Sequence, residues 1–228
     1  MEQKQRILIL GATGRTGQHV LEAALAEDYE VNCLVRYPQK LERYQQDSRV
    51  KLIQGNPLNL AELTKAAEAC HYLLSSLNIS RKSDFPWAPL RTPKKYLSEV
   101  MQNIIQLQQR QAFEKAVICS AWGVNETLKD IPWWFRLLIQ YSNIGPAYKD
   151  HERQERLLDL HYTGPWTVVR PVALINRTKQ KAVSISYQNQ PKPGLTISRR
   201  EVGVFMLDAL KRPELDFRKP VIWSPLFA

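Results

Sequence analysis

Residues 7–20 read ILILGATGRTGQHV: an apolar run, three glycines spaced by three, then a stretch of helical character. Strand, glycine turn and helix in that order are what a phosphate-binding unit of an α/β protein requires. Gly11 permits a sharp exit from the strand, Gly14 lets the backbone approach phosphate oxygens, and Gly17 lets helix and strand pack closely. The spacing is GxxGxxG and not GxGxxG, and a glycine triplet alone is a weak signal. Its position between a strand and a helix, with a second strand following, makes it a strong one.

That second strand selects the nucleotide. An acid about 20 residues past the glycines bonds a ribose hydroxyl, whereas an arginine there meets a 2′-phosphate. The run ends CLVRYPQK, so Arg36 occupies the position and Glu42 is the next acid. Arg15, inside the glycine turn, is a second clamp for phosphate. NADP(H) is therefore the expected cofactor.

Further out the pattern alternates. Strand-like runs at Arg6–Leu10, Tyr29–Val35, Val50–Gln54, His71–Leu77, Ala116–Ser120, Trp166–Pro171 and Pro220–Trp223 are separated by helical stretches. The clearest helices are Thr16–Ala26, Leu60–Ala69, Pro93–Gln111, Lys149–Leu160 and Arg200–Arg212. The alternation predicts an α/β fold, a Rossmann-like doubly wound parallel sheet in a single domain over 1–228. Asn59 with Glu62 three positions on, and Thr92 followed by Pro93, mark helix starts. Two segments break the rhythm: Arg81–Thr92, with prolines at 86 and 89, and Glu126–Tyr148, which contains PWWF. Both follow the C-terminal end of a strand, where open α/β sheets hold ligands, so a pocket for a small-molecule acceptor is expected around 78–92 and 122–148. For IPWWFRLLIQY, residues 131–141, core packing is the first expectation. A roof of Trp133, Trp134 and Phe135 stacked on a planar acceptor, or a dimer contact, are the alternatives.

The 228 residues are 44% hydrophobic and 24% charged, ordinary for a globular protein. The polar MEQKQR precedes a run too short for a signal peptide or a membrane span, so a cytoplasmic protein without a membrane partner is expected. Cys33, Cys70 and Cys119 lie in or beside apolar runs with no CxxC pair, which predicts buried reduced thiols and no metal site. The formal charge is +10, and Leu160–Arg200 contains no acid. Such a window either attracts an anion or is a solvated face. No zinc-finger, helix-turn-helix or RNP-type motif accompanies it, so nucleic acid is not an expected partner.

GATGRTG, LVRYPQKL, GNPLN, CSAWG, KDHERQERLL and VVRPVAL together resemble the atypical short-chain dehydrogenase/reductase family, in its NmrA-like and biliverdin reductase B (flavin reductase) branch, over roughly Arg6 to Trp223. The resemblance implies NADP(H) lying across the strand ends. Gly11, Ala12, Thr13, Gly14, Arg15, Thr16 and Gly17 would hold the pyrophosphate and Arg36 the 2′-phosphate. Asn56 would lie near the adenine, where many relatives carry Asp, Leu77 along the adenosine–nicotinamide path, and Ser120 beneath the nicotinamide.

Carbonyl-reducing members of that family use a Tyr-x-x-x-Lys pair, in which lysine lowers the tyrosine pKa. None of the nine tyrosines has a lysine four residues on. Anchored on Glu155, the lysine position falls on His151 and the tyrosine position on Ala147, with Tyr148 one step, about 100°, away. Alcohol dehydrogenase and sugar epimerase chemistry are disfavoured. Acceptors that take hydride first and gather a proton from water, such as a flavin, a quinone or a tetrapyrrole bridge, remain. Asp150–Arg153 resembles the DHxR stretch of the biliverdin reductase B branch, which implies that His151 orients the acceptor or relays a proton. Its plain alternative is a hydrogen-bonded helix histidine. Ser120 would donate a hydrogen bond to substrate or nicotinamide, or simply end its strand. Two functions follow: an NADPH-dependent reductase of a planar acceptor, or a non-catalytic NmrA-like NADP(H) redox sensor that binds a regulatory protein partner.

Overall fold

In the computed structural model Ile7, Leu8, Ile9 and Leu10 are all 0% exposed, because β1 (Arg6–Leu10) lies between parallel neighbours and is covered on both faces. The structure describes residues 4–225, so the start of the polar N-terminus and both ends of the expected 1–228 domain lie outside the described residues. The strands β2 (Glu30–Val35), β3 (Val50–Gln54), β4 (Tyr72–Ser75), β5 (Lys115–Cys119) and β6 (Trp166–Pro171) match the apolar runs of the sequence to within a few residues. With β8 (Ser184–Ser186) and β10 (Val221–Trp223) they form one sheet in the order β3-β2-β1-β4-β5-β6-β10-β8. All neighbours are parallel except β10 and β8. Strand order reverses between β1 and β4, which defines the switch point of the sheet. The fold is the Rossmann-like single domain that the alternation predicts.

The faces are closed by two helical layers. On one, α1 (Gly17–Ala26) and α6 (Arg199–Asp208) pack Val20, Leu21, Ala24, Val202, Phe205 and Met206 onto Ile7, Ile9, Val31 and Cys33. On the other, α2 (Leu60–Ala67), α3 (Tyr96–Gln108) and α5 (Gly145–His161) cover Leu8, Leu10, Leu34 and Leu73. Asn59 caps α2 as expected, its side chain accepting from the amides of Ala61 and Glu62. Thr92 does not begin α3. Its hydroxyl accepts from the Ser80 amide at 2.9 Å, and the helix starts at Tyr96. There the buried carboxylate of Asp150, on α5, accepts from the Leu97 amide and the Ser98 hydroxyl, each at 2.6 Å. A residue from a neighbouring helix thus does the work of the cap.

Three further departures matter. β7 (Ala173–Ile175) and β9 (Thr196–Ser198) pair as a separate two-stranded ribbon, and β8 adds an antiparallel edge; ALI of β7 runs on from the apolar stretch of β6, and SIS and TIS are too short and mixed to mark strands. The PWWF segment forms α4 (Trp133–Tyr141), in which no residue is fully buried; the expected core packing holds for Phe135 and Ile139, which pack against the core, and not for Trp133 and Trp134, which are exposed. The basic window is partly internal: Arg170 is buried between carboxylates, and Arg177 faces Glu201 at 3.7 Å. All three cysteines are free, and burial pushes each thiol up to about 12. Among the described residues no cluster of His, Cys, Asp and Glu could hold a metal, and no helix is long and apolar enough to cross a membrane.

Candidate functional site

The glycine turn sits at the switch point. Gly11 takes φ +88, and a Cβ there would lie 3.0 Å from Ser76; a Cβ on Gly17 would lie 2.0 Å from the Gly11 carbonyl oxygen. Neither position tolerates a side chain without moving the backbone. The Gly14 amide donates to the Gly11 carbonyl at 2.9 Å and closes the turn. Thr16 begins α1 without a side-chain cap, and the first turn carries no acid. The positive end of the helix is therefore left to an anion, which fits a diphosphate.

The neighbouring expected residues fall around this turn. Leu77 directly follows Ser76 beside Gly11, with its side chain against the second core layer. Arg36, exposed at the end of β2, holds its guanidinium 5.9 Å from the Tyr96 ring centroid and is free to turn to a phosphate. Asn56 is internally engaged: its amide donates to Glu62 at 2.6 Å and its side-chain oxygen accepts from Leu58 at 3.2 Å. Arg15 forms a two-pronged ion pair with Asp84, at 2.9 and 2.7 Å, which bridges the turn after β1 to the segment after β4. The Asp84 hydrogen bonds raise the Arg15 pKa, and in return Arg15 lowers that of Asp84.

Beyond β5 lies a cavity of about 840 Å³ bounded by the start of α3, residues 123–128, α4 and the first turns of α5. It takes in much of the expected 122–148 segment. From 78–92 it takes none of its lining, and Lys94 and Lys95 stand there instead. Five cations, Lys94, Lys95, Arg136, Lys149 and Arg153, face it against the single carboxylate of Glu152. Tyr148 also lines it, and burial pushes its phenol well above the ordinary tyrosine range. Four residues after Tyr148 stands Glu152, a carboxylate where a phenol-activating lysine would be needed.

Ser120 and His151 lie elsewhere. Ser120 is 5% exposed and donates its hydroxyl proton to Glu155 at 2.6 Å, an arrangement that fits the strand-ending alternative. His151, 2% exposed, shares a hydrogen bond of 3.2 Å with Gln154 and does not line the cavity. Burial holds its pKa below the usual imidazole value, which makes it a neutral core histidine, as in the hydrogen-bonded alternative. Trp133 and Trp134 point outward, so they do not roof the cavity; of the three aromatics only Phe135 turns in, meeting Tyr148 edge-on at 6.0 Å.

What sequence reasoning missed is a buried charge network. Arg170, 1% exposed, donates to Glu155 at 3.0 and 2.5 Å and also pairs with Glu126. Asn125 donates to Glu155 at 2.8 Å, and Lys219 lies 3.7 Å from it. Burial alone would raise the Glu155 pKa, but its hydrogen bonds from Arg170 and Ser120 bring it below the ordinary value. The network ties β5, β6 and α5 together beneath the cavity wall. The only signal for it in the sequence is an arginine inside an apolar strand.

A family model described as NAD(P)H-binding matches residues 11–213. Among solved structures, the chain is similar to a short-chain dehydrogenase/reductase from Veillonella parvula, with TM-score 0.79, 16% identity, and 98% of this chain and 96% of that one covered. It is similar to a short-chain dehydrogenase/reductase from Veillonella parvula in complex with NADP, with TM-score 0.78, 16% identity, and 98% of this chain and 96% of that one covered. It is similar also to ChuY from Escherichia coli, described as an anaerobillin reductase, with TM-score 0.79, 17% identity, and 98% and 99% covered. At these identities the likeness is one of fold.

Proposed function

The chain belongs to the NAD(P)H-binding family, and from that membership we propose that it is an NADPH-dependent reductase that delivers hydride to a planar acceptor, a flavin, quinone or tetrapyrrole-like ring. The observation that carries this reading is the cavity of about 840 Å³ beyond β5, within the size range of small-molecule sites. A protein that only registered nucleotide would have no use for a second chamber beside it. The cationic lining favours an acceptor with phosphate or carboxylate tails over an uncharged one. That ChuY is described as a reductase of anaerobillin supports a tetrapyrrole-like member of this class.

When bound, the nicotinamide supplies the hydride. The chain does the rest. Main-chain amides of the glycine turn would hold the diphosphate and Arg36 the 2′-phosphate, with Arg15, paired with Asp84 beside the turn, as a second cation for phosphate. Lys94, Lys95, Arg136, Lys149 and Arg153 orient the acceptor by its anionic tails. With Tyr148 raised and followed by Glu152, no strong acid faces the ring, so the acceptor draws its proton from water after accepting hydride.

One observation favours a second reading, the non-catalytic NADP(H) sensor with a regulatory partner: Ser120 and His151 are both engaged inside the protein. Turnover separates the two. Purified protein given NADPH with FMN, riboflavin, biliverdin or a quinone is expected to consume the nucleotide faster than buffer does, fastest with the anionic acceptors. A flat trace with all of them overturns the reductase.

A further inference from the structure

At about 100° per residue, Trp133, Leu137, Tyr141 and Trp134 fall within one arc of α4 about 100° wide. They are 71%, 45%, 66% and 54% exposed. The opposite side of the helix carries Phe135 and Ile139, which pack on the core. The helix thus has two apolar sides, and the fold uses one. The outer side continues onto the turn after β4, where Phe85 and Trp87 are 61% and 51% exposed with ring centroids 5.4 Å apart. Trp87 Nε1 donates to the Tyr141 carbonyl at 2.9 Å, and Asn143 donates to the carbonyls of Trp87 and Ala88. These bonds fix the Trp87 indole and tie the backbone of the turn to the end of α4, so the two exposed apolar surfaces form one continuous patch.

Charge says what covers them. Outside the cavity lining, residues 81–95 and 128–149 carry Arg81, Lys82, Arg91 and Lys129 against two acids, Asp84 and Asp130. Asp84 is taken up by Arg15. A second copy of the chain would bring an equally cationic face against this one, which repels. A bilayer rich in anionic phospholipid satisfies both features, since tryptophan and tyrosine settle at the headgroup level while lysine and arginine meet the phosphates. No described helix can cross a membrane, so the attachment is peripheral.

We infer that the outer face of α4 and the Phe85–Trp87 turn dock this protein on an anionic phospholipid bilayer. This differs from the expectation of no membrane partner. The inner side of the same helix, through Arg136, Ile139 and Gln140, lines the acceptor cavity, so docking would set α4 between the cavity and the lipid surface. The inference does not depend on turnover.

The test is co-sedimentation of the full chain with vesicles of phosphatidylglycerol and phosphatidylethanolamine, beside vesicles of phosphatidylcholine alone. Expected are binding to the anionic vesicles at least about tenfold tighter than to the neutral ones, weakening with added salt, and a blue shift of tryptophan emission. The triple variant Trp133→Ser, Trp134→Ser, Leu137→Ser alters exposed side chains only; it should lose about tenfold or more of the binding while its melting temperature holds. The inference is overturned if the wild type ignores anionic vesicles, or if it binds neutral ones equally well and without salt dependence. It is also overturned if the surface proves to join two copies, seen as a dimer that the triple variant converts to monomer with no vesicle binding by either form.

Discussion

Arg36 lies exposed over Tyr96 with no ion pair among the described residues, and its value to the protein lies in what it can reach. Arg36→Ala should cut the preference for NADPH over NADH by about 10-fold to 100-fold, the worth of a charge-assisted contact to phosphate, and leave NADH binding unchanged. Calorimetric titration with both nucleotides measures it; an unaltered ratio removes Arg36 from the site. His151 makes a prediction of another kind. Its folded pKa lies below the usual 6.5 because burial penalises the imidazolium more than Gln154 and the nearby carboxylates favour it. As pH falls below 6.5 the unfolded chain takes up a proton that the folded one refuses, so stability is full above that pH and declines towards the folded pKa. Glu155, whose folded pKa is below 4.5, adds a second loss at more acidic pH. Denaturant unfolding between about pH 7.5 and about pH 5 should show the first slope in the wild type and lack it in His151→Asn. Equal slopes in both would mean that His151 is not the neutral core residue described.

Among the elements, the junction of β5, β6 and α5 depends on Arg170. Arg170→Met leaves Glu155 buried without its main partner, and the expected cost is about 3–5 kcal/mol, measured by chemical denaturation. Adding Glu155→Leu should restore part of it; no recovery would mean that packing and not charge is at stake. None of this was legible beforehand, because residues fifteen apart in sequence meet only after a helix has folded back on a strand. What was legible followed from periodicity. Runs such as ILIL and TVV mark inner strands, and GATGRTG marks a turn between a strand and a helix. Asn59 announced α2 correctly because its cap is local. Thr92 misled because the α3 cap is Asp150, which belongs to another helix. The ribbon of β7 and β9 is held by its neighbours and leaves no pattern of its own. The outward turn of Trp133 and Trp134 depends on where α4 is anchored, which aromatic content does not reveal.

On the scale of the whole molecule, the reversal of strand order between β1 and β4 brings the glycine turn, Leu77 and the Arg15–Asp84 bridge together at one end of the strands, with the cavity beyond β5 farther along the same edge of the sheet. A ligand that binds only the folded chain raises its melting temperature, by about 2.7 kcal/mol of added stability at a hundredfold excess over Kd. Thermal unfolding should therefore rise with NADPH more than with NADH at equal concentration, and no rise with either would remove the premise of the proposed chemistry. The cysteines bear on what such an edge can be exposed to. Quinones alkylate thiolates, and reduced flavins pass electrons to oxygen to give peroxide, which attacks the same sulfur anion. With every thiol held near 12, the three sulfurs stay protonated at neutral pH, and a catalyst of this kind could handle electrophiles and stray oxidants over many cycles without scarring itself.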